Sequence, residues 1–541
     1  MALTTSYWPA TDEEPLLETT AGGTLREVAA SIPDKIALIE GTADPGSRRK
    51  RTYAELLAES EAMARALLAL FKPGDHVAIW APNCIEWIVL QYGLALAGMV
   101  LVTVNPAYRE SELEYVLKQS RARGWFFAPT YRGVDMRAKV DAVVTRLPDL
   151  DVTLALDELP EMVAKGSSVR PLPTVTPGDS IMIQYTSGTT GFPKGALLTH
   201  HGVTNNARHM AILRGVGDGT IDISAMPLFH TGGCVVSVLG TLQTRGTLVL
   251  VPEFEPNLYL DLIEQERAQF TLAVPTMLIA LLEAQRATAR NLSSMEVVIS
   301  GGAVVPIEIV KRIKREFGCE FSIIFGQTET SPVVTSTRLD DTPEDTSESL
   351  GRALPQAEVK IVDTETGEIV QVGETGEFCT RGYLTMQEYF DMPEATANTI
   401  DADGWLHTGD LCSMDERGYF YVQGRLKDMI IRGGENVYPR EIEDVLFKHP
   451  AIAEAAVVGI PDERWGEQVA AFIRVAKGRA TNADELHDFM REHLAPHKTP
   501  KIWIELDAYP MTPSGKIQKY RLVEMFESGD LKPNMAGENT D

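Results

Sequence analysis

Short apolar runs alternate with longer helical patterns along most of the chain. Runs such as "MEVVISGG" (295–302) and "CEFSIIFG" (319–326) are rich in β-branched residues and end in glycine, which is typical of strands that lead into loops. Between such runs, "TYAELLAESEAMARALLALF" (52–71) begins with a Thr52–Glu55 capping box and predicts a helix. The alternation predicts α/β layers, and sheets of this kind bind ligands at the carboxyl ends of their strands.

The pattern changes in the last third of the chain. After about residue 375, turn-rich stretches such as "GWLHTGDLCSMDERGYFYVQGR" predict antiparallel strands, and a compact α+β unit follows. We place a domain boundary in the Gly424–Asp428 turn. The predicted fold is therefore α/β, with a large N-terminal domain (1–426) of α/β layers that carries a β-rich subdomain, and a small C-terminal α+β domain (427–541).

The loop "YTSGTTGFPKGALLTH" (185–200) is rich in glycine and hydroxyl side chains. It lacks the spacing of the common phosphate loop, because Gly188 and Gly191 are too close together and Pro193 precedes Lys194. Its backbone N–H groups and hydroxyls can still wrap a polyphosphate, with Lys194 as a mobile positive charge. We place the loop between a strand ("SIMIQY") and a helix ("NNARHMAIL"). Phosphate binding is favoured over a flexible linker.

Composition narrows the class of protein. A chain of 541 residues is too long for one core. A net charge of −26 argues against a nucleic-acid partner or an anionic membrane surface. The five cysteines are scattered, without a CxxC pair or a Cys/His cluster, so the sequence supports neither a disulfide framework nor a zinc site. We therefore expect a reducing, cytoplasmic location.

One stretch approaches the length of a membrane span, and the N-terminus does not resemble a signal peptide. The stretch is "IEWIVLQYGLALAGMVLVTV" (85–104), which contains Glu86 and Gln91 and becomes β-branched before Asn105. A buried helix that runs into a buried strand is the favoured interpretation, so we expect no transmembrane segment.

Further motifs follow the glycine-rich loop in a fixed order. They are "MPLFHTGG" (226–233), "SGGAVVP" (300–306), "FGQTE" (325–329), "HTGD" (407–410), "GRLKDMIIRGGENVYPREIE" (424–443) and "PMTPSGKIQK" (510–519). With "YTSGTTGFPKG", this series resembles the adenylate-forming superfamily, which comprises acyl-CoA synthetases, adenylation domains of peptide synthetases, and luciferases. The resemblance spans most of the chain. It implies that a carboxylate attacks the α-phosphate of ATP, that pyrophosphate leaves, and that coenzyme A then takes the acyl group from the adenylate.

The resemblance also implies catalytic roles. Two anions must approach each other, so the site needs positive charge and a metal. Glu329 matches the Mg²⁺ ligand of the family, and Thr186 adds an oxygen to the metal or its waters. Lys516, in a Pro/Gly loop, matches the lysine that bridges the carboxylate and the α-phosphate during adenylation. Without the family context, Glu329 and Lys516 would be interpreted as surface charges.

The resemblance implies nucleotide contacts as well. Asp410 accepts hydrogen bonds from the ribose hydroxyls, and Arg425 donates to the ribose or a phosphate. Phe325 stacks on adenine at a position where relatives often carry tyrosine, and the loss of the phenol hydroxyl leaves the stacking area intact. The other nucleotide-binding candidates are Ser187, Gly188, Thr189, Thr190, Lys194, Gly301, Gly302, Ala303, Gly326, Gln327 and Thr328.

For the thiol half reaction, the family rotates its small domain between two conformations. Lys427 matches the hinge, where a few residues absorb a large backbone rotation. Gly433 and Gly434 would then lie beside the pantetheine chain, because residues without a Cβ allow close approach. An ordinary tight turn is the alternative for these two glycines.

The acyl pocket is expected near the motif "MPLFHTGG" (226–233). The residues assigned to it are His230, Thr231, Gly232, Cys234 and Val238. His230 is interpreted as a gate between acid and thiol, with a general-base role as the alternative. Small residues here and at 233, 301 and 326 suggest room for a bulky or elongated apolar acid. The lack of a basic side chain among them disfavours amino and dicarboxylic acids.

The leading hypothesis is an ATP-dependent acid:CoA ligase for a fatty or other hydrophobic acid. The alternatives are an aryl-acid ligase of the benzoate or cinnamate type, an enzyme that loads a separate carrier protein, a luciferase-type oxygenase, and a catalytically silent adenylate-binding regulator. The presence of Lys516, Glu329 and Asp410 argues against the silent regulator. Dimers are common among relatives, so a homodimer is the expected assembly if the chain associates.

Overall fold

The protein is described by a computed structural model that covers residues 3–166, 171–186, 193–303, 305–462, 464–511 and 517–535. Its strands in chain order begin with β1 (Tyr7–Trp8), β2 (Ile36–Glu40), β3 (Lys50–Thr52), β4 (His76–Trp80), β5 (Val100–Val104), β6 (Gly124–Phe127), β7 (Thr130–Tyr131), β8 (Val134–Asp135), β9 (Val152–Ala155), β10 (Ser180–Thr186), β11 (Lys194–Thr199), β12 (Ile221–Ser224), β13 (Thr247–Leu250) and β14 (Phe270–Leu272). They continue with β15 (Val297–Gly301), β16 (Glu320–Gly326), β17 (Val333–Ser336), β18 (Arg352–Ala353), β19 (Ala357–Val362), β20 (Gly376–Gly382), β21 (Glu388–Tyr389), β22 (Leu406–Met414), β23 (Phe420–Arg425), β24 (Ile430–Arg432), β25 (Glu435–Val437), β26 (Ile452–Asp462), β27 (Gly466–Val475) and β28 (Ile502–Glu505).

The helices pack on these strands. The α-helices are α1 (Ala21–Ser31), α2 (Tyr53–Leu70), α3 (Ile85–Ala97), α4 (Glu110–Gln119), α5 (Met136–Val144), α6 (Leu159–Gly166), α7 (His200–Leu213), α8 (Gly240–Gln243), α9 (Pro256–Glu266), α10 (Pro275–Ala287), α11 (Ile307–Phe317), α12 (Pro343–Glu348), α13 (Pro393–Ala397), α14 (Pro439–Leu446), α15 (Ala483–His493) and α16 (Lys519–Glu527). A π-helix covers Gly232–Leu239, and single 3₁₀ turns cover Pro45–Ser47, Leu156–Glu158, Thr328–Thr330, Leu426–Asp428 and Pro496–Lys498.

Two mostly parallel sheets build the large domain. One has the strand order β21-β11-β10-β5-β4-β6-β9, and the other has the order β18-β17-β16-β15-β14-β12-β13-β2-β3. Within them, β10-β5-β4-β6-β9 and β16-β15-β14-β12-β13-β2 are parallel. Helices cover these strands, and each sheet has its own cluster of buried apolar side chains. The predicted α/β layers are confirmed.

The β-rich part is a third sheet, in which β1-β19-β20-β22-β23 all pair antiparallel. The small C-terminal sheet follows, with the order β25-β24-β27-β26 and β28 beside β27. The last strand of the third sheet ends at Arg425, and the first strand of the small sheet begins at Ile430. The predicted α+β unit is therefore present, and a boundary between residues 426 and 427 remains our proposal.

Two local predictions are confirmed by their hydrogen bonds. Thr52 caps α2 through its side chain, and Glu55 returns a bond to the Thr52 backbone, as the capping box requires. The span-like stretch forms the buried helix α3 and then β5. Its Gln91 donates to the Cys234 carbonyl at 3.0 Å, and Glu86 pairs with Arg49. Among the described residues, no helix is long and apolar enough to cross a membrane.

The prediction for the glycine-rich loop was wrong in one respect. The loop does not join a strand to a helix, because "KGALLT" forms β11, which pairs antiparallel with β10 before α7 begins at His200. β10 and β11 are therefore the two arms of a hairpin, and residues 187–192 between them lie outside the described part of the chain. Thr186 and Lys194 lie opposite each other in the register.

Candidate active site

Glu329 is a buried carboxylate just beyond the end of β16. It lies in the 3₁₀ turn Thr328–Thr330 and is 7% exposed. The Tyr389 hydroxyl donates to its Oε1 at 2.6 Å. Burial, and then the adjacent carboxylate, raise the pKa of Tyr389, so the phenol keeps its proton and acts as the donor.

No lysine, arginine or histidine nitrogen in the described part of the chain lies within ion-pair distance of Glu329. A buried carboxylate without a positive partner is costly, because it loses hydration without a Coulombic return. A hard cation with oxygen ligands would supply that charge. The residues present therefore fit the Mg²⁺ site that the family resemblance implies.

Tyr389 also connects Glu329 to the glycine-rich hairpin. It lies on β21, where it pairs with Ala196 of β11, and the Lys194 ammonium is 4.8 Å from the centroid of its ring. Thr186 faces Lys194 across the same hairpin. Lys194, Thr186 and Glu329 are thus brought close together. Ser187, Gly188, Thr189 and Thr190 lie outside the described residues.

Tyr389 is not among the site residues predicted from the sequence. Its position depends on the pairing of β21 with β11, whose chain positions are almost two hundred residues apart. No local pattern around "QEYFD" marks this tyrosine as a neighbour of the candidate metal ligand. Only the register of the two strands shows the contact.

The predicted adenine-binding segments meet at one sheet edge. β15 and β16 are parallel neighbours, and they end at Gly301 and Gly326. Gly302 follows with φ +77°, a left-handed conformation that favours glycine. The residues collected at this edge are Gly301, Gly302, Ala303, Phe325, Gly326, Gln327 and Thr328.

Asp410 is 4% exposed, and its Oδ1 lies 2.9 Å from Nε of Arg425. The two residues face each other across β22 and β23, so the hairpin register makes the pair. Arg425 remains half-exposed and keeps donors for another anion. The arrangement offers a buried acceptor and a cation side by side, which suits a ribose next to a phosphate.

Phe378 connects this pair to the adenine edge. Its ring meets the Phe325 ring at 5.4 Å in an edge-to-face arrangement, and its carbonyl accepts from the Thr408 hydroxyl at 2.7 Å. The Asp410 N–H in turn donates to Thr408. Phe325 and Asp410 therefore belong to one structural neighbourhood.

Substitution of Asp410 by asparagine should raise the KM for ATP about 10- to 100-fold, since a hydrogen bond to a charged group contributes ~1.5–3 kcal/mol. 2′-Deoxy-ATP provides the matched comparison. Wild-type protein should discriminate against it, and Asp410→Asn should discriminate less, as measured by pyrophosphate release. Equal discrimination by both proteins would show that this carboxylate does not contact the ribose.

The predicted acyl-pocket residues surround the start of the π-helix Gly232–Leu239. His230 is exposed, and its Nδ1 accepts from the Gly232 N–H at 3.0 Å. Cys234 and Val238 are buried, and Cys234 Sγ accepts from Gln184. The Thr231 hydroxyl is buried and has no hydrogen-bond partner among the described residues. π-Helical turns are frequent at functional sites, and a buried polar group without a protein partner calls for an explanation.

The structure gives a reason other than pocket size for the glycines at 233, 301 and 326. A Cβ on Gly233 would collide with the Pro227 carbonyl, and one on Gly326 would collide with the Pro332 carbonyl. A Cβ on Gly301 would lie 2.6 Å from the Ile324 carbonyl oxygen. These glycines are therefore required by close backbone packing. Their presence is explained without reference to an acyl pocket, and the room available to the acid remains a prediction.

On the C-terminal side, Lys427 lies in the 3₁₀ turn Leu426–Asp428 that connects the third sheet to the small sheet. Gly433 and Gly434 form the two-residue turn between β24 and β25, with φ of +63° and +84°. The Trp465 ring packs on Gly433 and lies about 5 Å from the guanidinium groups of Arg432 and Arg464. Lys516 lies outside the described residues, between the bridged positions Met511 and Ile517.

Together, Lys194 on the hairpin, the buried carboxylate of Glu329 and the Asp410–Arg425 pair are the groups expected of an adenylate-forming enzyme. The chain matches the AMP-binding enzyme family over residues 25–390 and the AMP-binding enzyme C-terminal domain over residues 441–516. It belongs to this family, within which it is an AMP-forming acyl-CoA synthetase that binds ATP.

Similar proteins agree with this assignment. The putative acyl-CoA synthetase YngI of Bacillus subtilis is 39% identical over 94% of this chain and 98% of its own length. The mitochondrial medium-chain acyl-CoA ligase ACSF2 of Bos taurus is 36% identical over 94% of this chain and 88% of its own. The crystal structure of ATP-bound MatB from Rhodopseudomonas palustris is 32% identical, with a TM-score of 0.85 over 94% of this chain and 99% of its own.

Proposed function

We propose that this acyl-CoA synthetase activates an aliphatic, medium-chain or longer carboxylic acid, with Mg²⁺ as the metal and coenzyme A as the thiol. The observation that carries the proposal is the buried, largely apolar π-helix that follows Thr231, whose own hydroxyl is buried. This π-helix, "GGCVVSVL", is buried throughout and carries no ionisable group except Cys234.

Arg214 is a buried cation that contacts the π-helix and is already engaged. It donates to Asp222 at 2.6 Å and to the Val236 carbonyl at 2.8 Å. It is therefore committed to a protein carboxylate and does not serve a second carboxylate on a substrate. This disfavours dicarboxylic acids. The name of the bovine relative, a medium-chain acyl-CoA ligase, supports an aliphatic acid.

In the first half reaction, the acid carboxylate attacks the α-phosphate of ATP and pyrophosphate leaves. Lys194 and the hydroxyls of the hairpin hold the departing pyrophosphate, and Asp410 with Arg425 fixes the ribose. Glu329, oriented by Tyr389, holds the cation that neutralises phosphate charge when it is bound. Lys516 bridges the carboxylate and the α-phosphate.

In the second half reaction, the thiol of coenzyme A attacks the acyl carbonyl and AMP leaves. The Gly433-Gly434 turn presents bare backbone to the pantetheine chain, and the exposed Trp465 ring with its two flanking arginines offers an aromatic and cationic surface beside that turn. The five cysteines form no disulfide, which agrees with our proposal of a reducing, cytoplasmic location.

The test is pyrophosphate release over a panel of saturated, aryl and dicarboxylic acids, with and without coenzyme A. We expect the highest kcat/KM with a saturated aliphatic acid and an acyl-CoA product in the presence of CoA. A preference of more than about tenfold, or 1.4 kcal/mol, for a benzoate or cinnamate would contradict the aliphatic assignment. A product that stays acyl-adenylate with CoA, but loads a phosphopantetheinylated carrier protein, would contradict the CoA acceptor.

A further inference from the structure

Three potential metal ligands converge on one face of the third sheet. Glu377 and Cys379 are two positions apart on β20, so their side chains leave the sheet on the same side. His407 on β22 lies opposite Cys379 in the register. One carboxylate oxygen, the thiol sulfur and one imidazole nitrogen all lie within 4.8 Å of one another.

The individual distances are close to those of a coordination shell. The His407 Nδ1 is 2.8 Å from Glu377 Oε2 and 3.4 Å from Cys379 Sγ. In a tetrahedral zinc site with the usual bond lengths, such ligand atoms lie about 3.3–3.6 Å apart. A modest separation of Glu377 from His407 would therefore admit a cation between the three atoms.

His407 and Glu377 also contact groups outside the three ligands, and these contacts are the ones that a coordinated histidine and a coordinated carboxylate need. The Nε2 of His407 faces Asp401 Oδ2 at 3.5 Å, so its N–H points to a carboxylate while Nδ1 points to the other ligands. The second oxygen of Glu377 accepts from the Gly409 N–H at 3.0 Å. Metal-bound histidines almost always donate their other N–H in this way, and bound carboxylates are themselves hydrogen-bonded.

We propose that Glu377, Cys379 and His407 form a binding site for one divalent cation of the zinc class, separate from the Mg²⁺ site at Glu329. The mixed oxygen, sulfur and nitrogen donors suit zinc, whereas Mg²⁺ prefers oxygen alone. On binding, the Cys379 thiol and the His407 Nδ1–H that donates to Glu377 each lose a proton to solvent, because a thiolate and an unprotonated imidazole nitrogen are the ligands. A water fills the fourth position.

The proposed cation site is connected by a hydrogen bond to the segment that carries the candidate ribose ligand. Glu377 holds the Gly409 N–H, and Gly409 precedes Asp410, the candidate ribose ligand. A cation bound at this site would hold β20 and β22 together next to Asp410. No local sequence pattern marks this site, because Cys379 and His407 are 28 residues apart and only the strand register brings them together.

The experiment is a titration of the chelator-treated full chain with Co²⁺ in excess Mg²⁺, which fills hard oxygen sites without competing for a thiolate. We expect a near-ultraviolet thiolate-to-Co²⁺ charge-transfer band that saturates at one equivalent and is removed by Zn²⁺. Cys379→Ser should abolish the band. Cys84→Ser, which alters the most accessible cysteine, should retain it.

Asp401→Asn gives an independent readout that leaves all three ligands in place. It keeps the Oδ1 acceptor for the Trp405 N–H but removes the carboxylate charge from His407. We expect the affinity for Co²⁺ to fall about 10- to 100-fold. The proposal is overturned if wild-type protein shows no saturable band, if the band survives in Cys379→Ser, or if Asp401→Asn binds as tightly as wild type.

Discussion

Glu329→Gln should reduce acyl-adenylate formation by about 10²- to 10³-fold, because stabilisation by a bound cation contributes several kcal/mol to phosphoryl chemistry and 1.36 kcal/mol corresponds to a factor of ten. The substitution conserves shape and keeps an acceptor for the Tyr389 hydroxyl. It removes only the charge that we propose holds the cation. Pyrophosphate release, measured across a range of Mg²⁺ concentrations, should show a loss that added Mg²⁺ does not restore.

Two variants on β21 test how the Glu329 carboxylate is oriented, separately from its charge. Tyr389→Phe keeps the carboxylate but removes its donor, so we expect roughly tenfold slower adenylation, since a hydrogen bond to a charged group contributes ~1.5–3 kcal/mol. It should also raise the Mg²⁺ concentration needed for half-maximal rate. Glu388→Gln, the adjacent strand residue, is the matched control and should behave as wild type. If Glu329→Gln retains a wild-type rate and Mg²⁺ response, this carboxylate is not the metal ligand.

The fold could be predicted where local signals agree with the tertiary structure. The capping box of α2 and the buried helix α3 followed by β5 are both encoded within short stretches. β11 could not be predicted in this way. Six residues with an internal glycine carry a weak local pattern, and their strand conformation depends on pairing with β10 and β21, which are separate in sequence.

The candidate active site likewise contains residues that sequence motifs identify and residues that only the tertiary structure places there. Glu329, Asp410 and Arg425 lie in motifs that the family resemblance identifies, although each alone would be interpreted as an ordinary surface or turn residue. Their partners come from the strand register: Arg425 faces Asp410 across a hairpin, and Tyr389 reaches Glu329 from another strand. Glycine content is a weak guide to pocket size, because the glycines at 233, 301 and 326 are explained by close backbone packing.

Lys427→Pro should spare acyl-adenylate formation and slow thioester formation by about 10²-fold, or roughly 3 kcal/mol in the barrier. Lys427 lies in the 3₁₀ turn between the two sheets, and residues of 3₁₀ turns have φ in the range that proline adopts. The ring then holds φ near one value, so the turn cannot absorb the rotation that we propose brings the Gly433-Gly434 turn to the acyl group. Single-turnover measurements of each half reaction, the second started from supplied acyl-adenylate, check the result.

Lys516→Ala is the mirror-image control for this prediction. It should slow adenylation while leaving thioester formation from supplied acyl-adenylate close to wild type, because the bridging lysine acts only in the first step. Opposite defects in the two variants would assign one catalytic arrangement to each half reaction. If Lys427→Pro slows both half reactions equally while its thermal unfolding midpoint stays unchanged, the turn at Leu426–Asp428 does not act as the hinge, and the rotation must be located elsewhere in the chain.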